Sequence, residues 1–329
     1  MLKSFLPGVR RFAGLFAAVA AGAAMPAATF AQGAYPDKLV KIVVPFAPGG
    51  SSDIVGRVFG EYLQKRTRQP VIIENRAGAN GIIGTRYVKD AAPDGYTLEL
   101  STNTTHAANV SLYKQLPYDA MADFEHIAPF GMSASVALVT KESGITSIKA
   151  LAEHARSHPE QAFFGYYNSA SQMSGELFRL KAGAPIKGVS YTSIGNATTD
   201  LMGGRILVVF MEYLPSVGQI ASGKLVPLGV TAKKRYALWP QVPTIAETYP
   251  GYELDFHLGL AAPKGTPAPV LDKLHGWMMD AARDPAFVAK LHELGMEPLP
   301  MSRKEYVEFS REKIAYWAEQ VKAAGVPPQ

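Results

Sequence analysis

Residues 39–46 are almost entirely apolar and include three valines, the pattern of a strand buried on both faces. Ala47-Pro48-Gly49-Gly50 breaks the run. Ser51 or Ser52 is placed to cap a helix with Asp53 in its first turn, and Ile54, Val55, Val58, Phe59, Tyr62 and Leu63 then recur at helical spacing. Residues 70–74 read as a second strand, 75–81 as a glycine-rich loop before another helical stretch, Pro93-Asp94-Gly95 as a turn and 96–100 as a third strand. This β-α-β-α-β order predicts a parallel sheet covered on both faces.

A second unit of the same kind follows. Residues 127–140 are strand-like but interrupted by Gly131, 147–157 read as a capped helix, 163–167 as a strand, 169–182 as a helix and 189–191 as a strand. Residues 197–202 are helical, 206–211 strongly strand-like, and 225–231 form a strand able to return to the first unit. Beyond Pro263 the chain turns helical over 269–283, 285–294 and 303–324. The pattern therefore predicts an α/β protein of two lobes, lobe 1 from 32–102 and 229–329 and lobe 2 inserted as 103–228. The crossings lie near 102–106 and 226–230, and a ligand belongs in the cleft between the lobes.

The N-terminus changes the picture of where this fold works. Lys3, Arg10 and Arg11 precede an alanine-rich apolar run over 12–25, and Thr29-Phe30-Ala31 places small residues where a signal peptidase reads them. We read 1–31 as a signal peptide, cleaved near Ala31, and the remaining chain as periplasmic. The run is short and weakly hydrophobic for a membrane span, and the Arg10-Arg11 pair lacks the flanks of a twin-arginine signal. The formal charge of +5 includes these three leader cations, so the exported chain is close to neutral. Without a basic stripe, nucleic acid is not an expected partner. There is no cysteine, which excludes disulfides, thiolate metal sites and cysteine nucleophiles.

Enzyme signatures fail on inspection. Gly218 to Lys224 has the spacing of a phosphate loop, but Leu225 stands where a magnesium-binding hydroxyl is required. Gly78, Gly81 and Gly84 are spaced too widely for a dinucleotide fingerprint. No Gly-x-Ser-x-Gly elbow occurs, and the His154–His158 pair reads as a solvated helix face. We expect no catalytic residue, no metal and no cofactor. The positive signal is the loop from Pro45 to Asp53. Its glycines bare backbone N–H groups at the start of a helix, where unpaired donors and the helix dipole favour an anion.

Tyr35-Pro36 and the run Ile42–Asp53 (IVVPFAPGGSSD) resemble the opening of the Bug-type periplasmic binding proteins, the substrate-binding components of tripartite tricarboxylate transporters. The resemblance continues in order through Glu74–Gly81, Pro93–Leu98, Leu116–Asp119, Gly175–Phe178, Asp200–Gly204, Ser222–Leu225, Pro243–Glu247 and Pro263–Pro267. It implies a two-lobed, type II-like Venus flytrap that binds a small carboxylate, catalyses nothing and hands its ligand to a membrane permease. A membrane sensor kinase is the alternative partner, and a monomer is expected. Residue by residue it implies a first-lobe clamp of Phe46, Ala47, Pro48, Gly49, Gly50, Ser51 and Asp53, and a polar loop of Thr102, Asn103 and Thr104. The second lobe would add Tyr166, Asn168, Ser169 and Ser171, then Ser193, Gly195 and Asn196, with Asp200 on the helix behind. The loop Tyr166–Met173 departs from the family, which has small residues there, as does Thr192-Ser193, where Lys-Gly is usual. Aromatics in place of small residues suggest an aromatic or partly apolar carboxylate, unless Tyr166 or Tyr167 packs beneath the loop.

Overall fold

The computed structural model describes residues 35–236 and 239–329. The signal peptide read from the sequence lies outside them. No helix among the described residues is long and apolar enough to cross a membrane.

The strands are β1 Val40–Val44, β2 Val71–Asn75, β3 Thr97–Thr102, β4 Phe124–Ser133, β5 Ser135–Thr140, β6 Phe163–Tyr166, β7 Lys187–Ser190, β8 Val208–Glu212, β9 Leu225–Val230, β10 Phe256–Pro263 and β11 Glu297–Pro298. The helices are α1 Ser51–Thr67, α2 Ile82–Lys89, α3 Asn109–Leu112, α4 Ile148–Ser157, α5 Ser169–Ala182, α6 Ile194–Met202, α7 Tyr213–Ala221, α8 Ala268–Ala281, α9 Pro285–Glu293 and α10 Arg303–Ala323. Two mixed sheets result. One runs β11-β4-β10-β3-β1-β2 and the other β7-β6-β8-β5-β9. In the first, β1, β2 and β3 are parallel, as their alternation with helices requires, and β10 lies antiparallel between β3 and β4. In the second, β6 is parallel to β7 and β8, and β5 runs antiparallel to β8 and β9. The fold is thus α/β and two-lobed.

The change of sheet occurs at another point than the sequence pattern suggests. After Thr102 the chain makes a π-helical turn (Thr104–Ala108) and α3, then returns to the first sheet as β4. It changes sheet at Ala134, between β4 and β5, and comes back with β10. The long apolar stretch 127–140 is therefore two strands in two sheets. The end of α10 also leaves the first sheet, since Trp317, Val321 and Ala324 join the core built around Phe164, Leu177, Phe178 and Phe210.

Helix–sheet approach depends on glycine at defined places. On α1, a Cβ at Gly56 would lie 3.2 Å from Leu100 and 3.3 Å from Val44, so the helix sits close on β1 and β3. On α5 the fit is tighter, for a Cβ at Gly175 would lie 2.1 Å from the buried Phe164 ring. Neither ring nor helix has room to give. Gly175→Val should destabilise the protein by at least about 3 kcal/mol, the upper range for overpacking, measured as a lowered denaturation midpoint with an unchanged m-value. A midpoint near wild type would mean that Phe164 has an alternative rotamer and the core is looser than its geometry shows.

Candidate functional site

Four helices begin where four parallel strands end: α1 after β1, α5 after β6, α6 after β7 and α7 after β8. Carboxyl ends of parallel strands are where open α/β sheets bind ligands. Between the two sheets lies a narrow cleft. Its first-lobe wall comprises Phe46, Ala47, Gly50, Ser51, Ser52, Thr102, Thr104 and Phe256, and its second-lobe wall Tyr167, Asn168, Thr192, Ser193, Ile194 and Glu212.

On the first wall, α1 starts without a side-chain cap, so its first N–H groups face the cleft with the positive end of the helix dipole. The Ser51 hydroxyl is buried there and has no hydrogen-bond partner. Asp53 holds this wall together from behind. Its Oδ2 accepts the Gly49 N–H at 3.0 Å and Arg57 Nε at 3.1 Å, and Arg57 Nη2 lies 2.9 Å from Oδ1. Arg57 also donates to Asn75 Oδ1 (3.3 Å), and Asn75 Nδ2 donates to the Phe46 carbonyl (3.1 Å). Burial pushes the Asp53 carboxyl up, but Arg57, the Gly49 amide and Asn75 outweigh it and leave it below its ordinary value.

On the second wall, Asn168 and Ser193 cap α5 and α6. Asn168 Oδ1 accepts from the Ser171 N–H at 2.8 Å and from the Ser171 hydroxyl at 2.9 Å, in a reciprocal capping box. Its amide nitrogen is thereby turned to Glu212 Oε1, 3.3 Å away. The Tyr167 hydroxyl donates to Glu212 Oε2. Burial raises the Glu212 carboxyl above its ordinary value, against the opposing pull of Tyr167, its own backbone amide and Asn168. Ser193 Oγ accepts from the Asn196 N–H at 3.3 Å, which leaves its own proton free to donate. Among the described residues no lysine, arginine or histidine lines this cleft.

Of the residues expected from sequence, Phe46, Ala47, Gly50, Ser51, Thr102, Thr104, Asn168 and Ser193 come together on these walls. The others do not line them. Pro48 and Gly49 are exposed, and Asp53 acts on the loop. Asn103 is fully buried with neither amide atom paired. Tyr166 packs on the second-sheet core beside Phe164, at 6.0 Å between ring centroids. The Ser169 hydroxyl turns away to donate to Asn109 Oδ1 at 2.7 Å, and Ser171 is spent on the Asn168 cap. Gly195 and Asn196 are exposed in the first turn of α6. Asp200 accepts from the Tyr191 hydroxyl at 2.9 Å and pairs with Arg205, away from the cleft. The ranges 46–53, 166–171 and 193–196 implied by the family resemblance also take in Ser52, Tyr167 and Ile194, and Thr192 is noted only as a departure from the family; Glu212 and Phe256 are the lining residues that sequence reasoning passed over. Glu212 was findable, because it ends the strand-like run 206–211 just as Pro45 and Phe46 follow the first strand.

Residues 55–326 match the model of the tripartite tricarboxylate transporter family receptor, TctC. The chain belongs to this family. The protein BugT of Bordetella pertussis (strain Tohama I) is 33% identical over 304 residues, covering 91% of this chain and 93% of BugT. Rpa4515 of R. palustris, solved with adipate, superposes with a TM-score of 0.87 at 32% identity, over 90% of this chain and all of that one (100%). MatC of Rhodopseudomonas palustris, with bound malate, superposes with a TM-score of 0.82 at 29% identity, over 87% and 100%. TctC receptors are periplasmic binding proteins, so this chain is a substrate-binding protein and not an enzyme.

Proposed function

We propose that this TctC receptor captures a small, partly apolar carboxylate in the cleft and delivers it to a membrane permease of the tripartite tricarboxylate type. The observation that carries the reading is the first wall: the uncapped start of α1, with the buried, unpartnered Ser51 hydroxyl, offers donors to an anion without any cationic side chain. The adipate and malate bound by Rpa4515 and MatC support a carboxylate. Phe46, Tyr167 and Phe256 flank the cleft and supply flat apolar surface, which favours a ligand with an aromatic or extended apolar body. In this reading the lobes pivot about the chain near Ala134 and about the segment between β9 and β10. The ligand favours the closed form by touching both walls. The protein works as a monomeric shuttle after cleavage near Ala31.

A thermal-shift screen of the chain without its leader, against aliphatic and aromatic carboxylates, tests this. A ligand that binds only the folded state raises the melting temperature by mass action, by the equivalent of about 2.7 kcal/mol at a hundredfold excess over Kd. Aromatic or long-chain carboxylates should give the larger shifts. If only short aliphatic di- or tricarboxylates shift the transition, the apolar part of the reading fails. If no carboxylate does so on protein verified to be ligand-free by mass spectrometry, the carboxylate itself is the wrong inference.

A further inference from the structure

The second wall carries a feature that a receptor for a simple dicarboxylate would not want. Glu212 is 5% exposed, ends β8 at the cleft, and has no cationic partner among the described residues. A buried carboxylate without a counter-charge is costly, and proteins ordinarily pair or neutralise it. Here the surroundings instead orient it. Tyr167 donates to one oxygen and Asn168 to the other, and Asn168 cannot flip because its own oxygen is held by Ser171. Its own backbone amide acts on the carboxyl as well, and of about four acceptor positions one remains. Glu212 also stands at the start of α7 yet makes no cap to it, which leaves that position to the cleft. Across the cleft, the start of α1 and Ser51 favour negative charge. The site is bipolar, with anion-seeking donors on the first wall and a donor-seeking carboxylate on the second.

We propose that Glu212 selects a ligand whose far end carries a hydrogen-bond donor, an ammonium above all. The cleft would then take an amino-substituted carboxylate in preference to the same skeleton ending in a methyl or a second carboxylate. The proposal rests on the reading of the cleft as a carboxylate site. The ligand's ammonium completes the pairing that the protein withholds from Glu212, and two carboxylates at opposite ends of a ligand would set one of them against it.

Calorimetric titration with matched trios tests this: hexanoate, adipate and 6-aminohexanoate, and 4-methylbenzoate, terephthalate and 4-(aminomethyl)benzoate, with phenylalanine against 3-phenylpropanoate to vary the position of the nitrogen. In the wild type an ammonium-bearing member should bind at least about tenfold more tightly than its partners, and in Glu212→Gln that ratio should fall to near one. Glu212→Asp, which keeps the charge, should retain the preference and serves if the Gln variant does not fold. A wild type that prefers the dicarboxylates, with Glu212→Gln binding them as well or better, would overturn the proposal and make Glu212 a protonated donor to the ligand. Tight binding of the methyl-ended members with no effect of an ammonium overturns it too, while leaving the carboxylate reading intact. Failure of every member to bind overturns both.

Discussion

Asp53→Ala should weaken ligand binding at least about tenfold while the protein stays folded. The carboxylate contacts no part of the cleft, yet the first wall is strung on it. It fixes Gly49 through the backbone N–H and anchors Arg57, which steadies Asn75, which in turn holds the Phe46 carbonyl. Without it, Ala47 to Gly50 lose the single side chain that ties the loop to α1, and Gly49, at φ +88°, has no Cβ to limit its wandering. A hydrogen bond to a charged group contributes about 1.5–3 kcal/mol, so losing the preformed loop geometry costs a comparable share of binding energy, and about 1.4 kcal/mol is tenfold in affinity. Stability should suffer less, because Arg57 is half exposed and water can solvate it once its partner is gone. Titration of the best ligand against the wild type and Asp53→Ala, with unfolding curves for both, separates the two effects. Asp53→Asn should fall between them, since it keeps an acceptor for Gly49 and loses the charge. Wild-type affinity in folded Asp53→Ala would show that the loop is held by its strand and helix ends alone.

That loop was also the most legible part of the site. Its glycines and its position after a continuous apolar strand are what made it so, although the cap expected from Ser51 or Ser52 is absent: Gly50 holds the N-cap position and both serines lie in the first turn of α1. The second wall was harder to read because there the question is where side chains point. Ser169 and Ser171 occupy a loop of the right composition, but both are used up, by Asn109 and by the Asn168 cap. Of the adjacent tyrosines, Tyr166 ends β6 and packs on the core while Tyr167 turns into the cleft. A one-residue alternation decides this, and a pair of equal side chains does not reveal it. Phe256 was passed over with its whole strand, although its signal is in the sequence: Leu254, Phe256, Leu258 and Leu260 alternate with Asp255, His257 and Gly259 at the period of a strand, and every residue of β10 is buried. The crossing at Ala134 was hidden because 127–140 is apolar enough for one long strand to explain it. Gly131, read as the interruption, is where the neighbouring strand passes closest, with the Glu297 carbonyl 2.3 Å from where a Cβ would stand.

The polar residues of β10 belong to a cluster that gives the second large effect: the protein should be most stable near pH 6.5 and lose stability steeply toward pH 4.5. His106, His126 and His257 are buried between the first sheet and α10, with Glu99 on β3 3.7 Å from His106 Nδ1. Burial holds all three imidazoles below their ordinary value of 6.5, His257 down to about 4. For His106 the neighbouring imidazoles add to burial. For His126 the Ala120 carbonyl and Glu125 oppose it, with Lys264 and Arg311 on the other side, and for His257 Asp255 opposes while Lys313 adds. Glu99 is pushed up to about 8 by burial, against the hydroxyls of Thr85 and Thr105. Between pH 6.5 and 4.5 the unfolded chain therefore binds up to three protons that the folded chain refuses, while Glu99 keeps one that the unfolded chain has released. The net is at most two protons, and fewer where Glu212 also keeps one, so the slope is up to about 2.7 kcal/mol per pH unit, with stability falling as the medium acidifies. Well above pH 6.5 the histidines are neutral in both states, and Glu99 acts, with the raised Glu212 carboxyl working in the same direction. The folded value of Glu99 lies above its unfolded one, so its contribution is present at low pH and is lost as pH rises toward 8, with half the slope and the opposite sign. Denaturant midpoints measured from pH 4.5 to 8.5 should trace this asymmetric peak. Glu99→Gln should flatten the alkaline limb and steepen the acid one, whereas a profile flat from 6.5 to 4.5 would mean that the imidazoles find protons without unfolding. Because Thr105 bonds both His106 Nδ1 and the backbone of Thr102, the cluster adjoins the cleft wall. Acid loosening of this core should therefore release ligand before the protein unfolds globally.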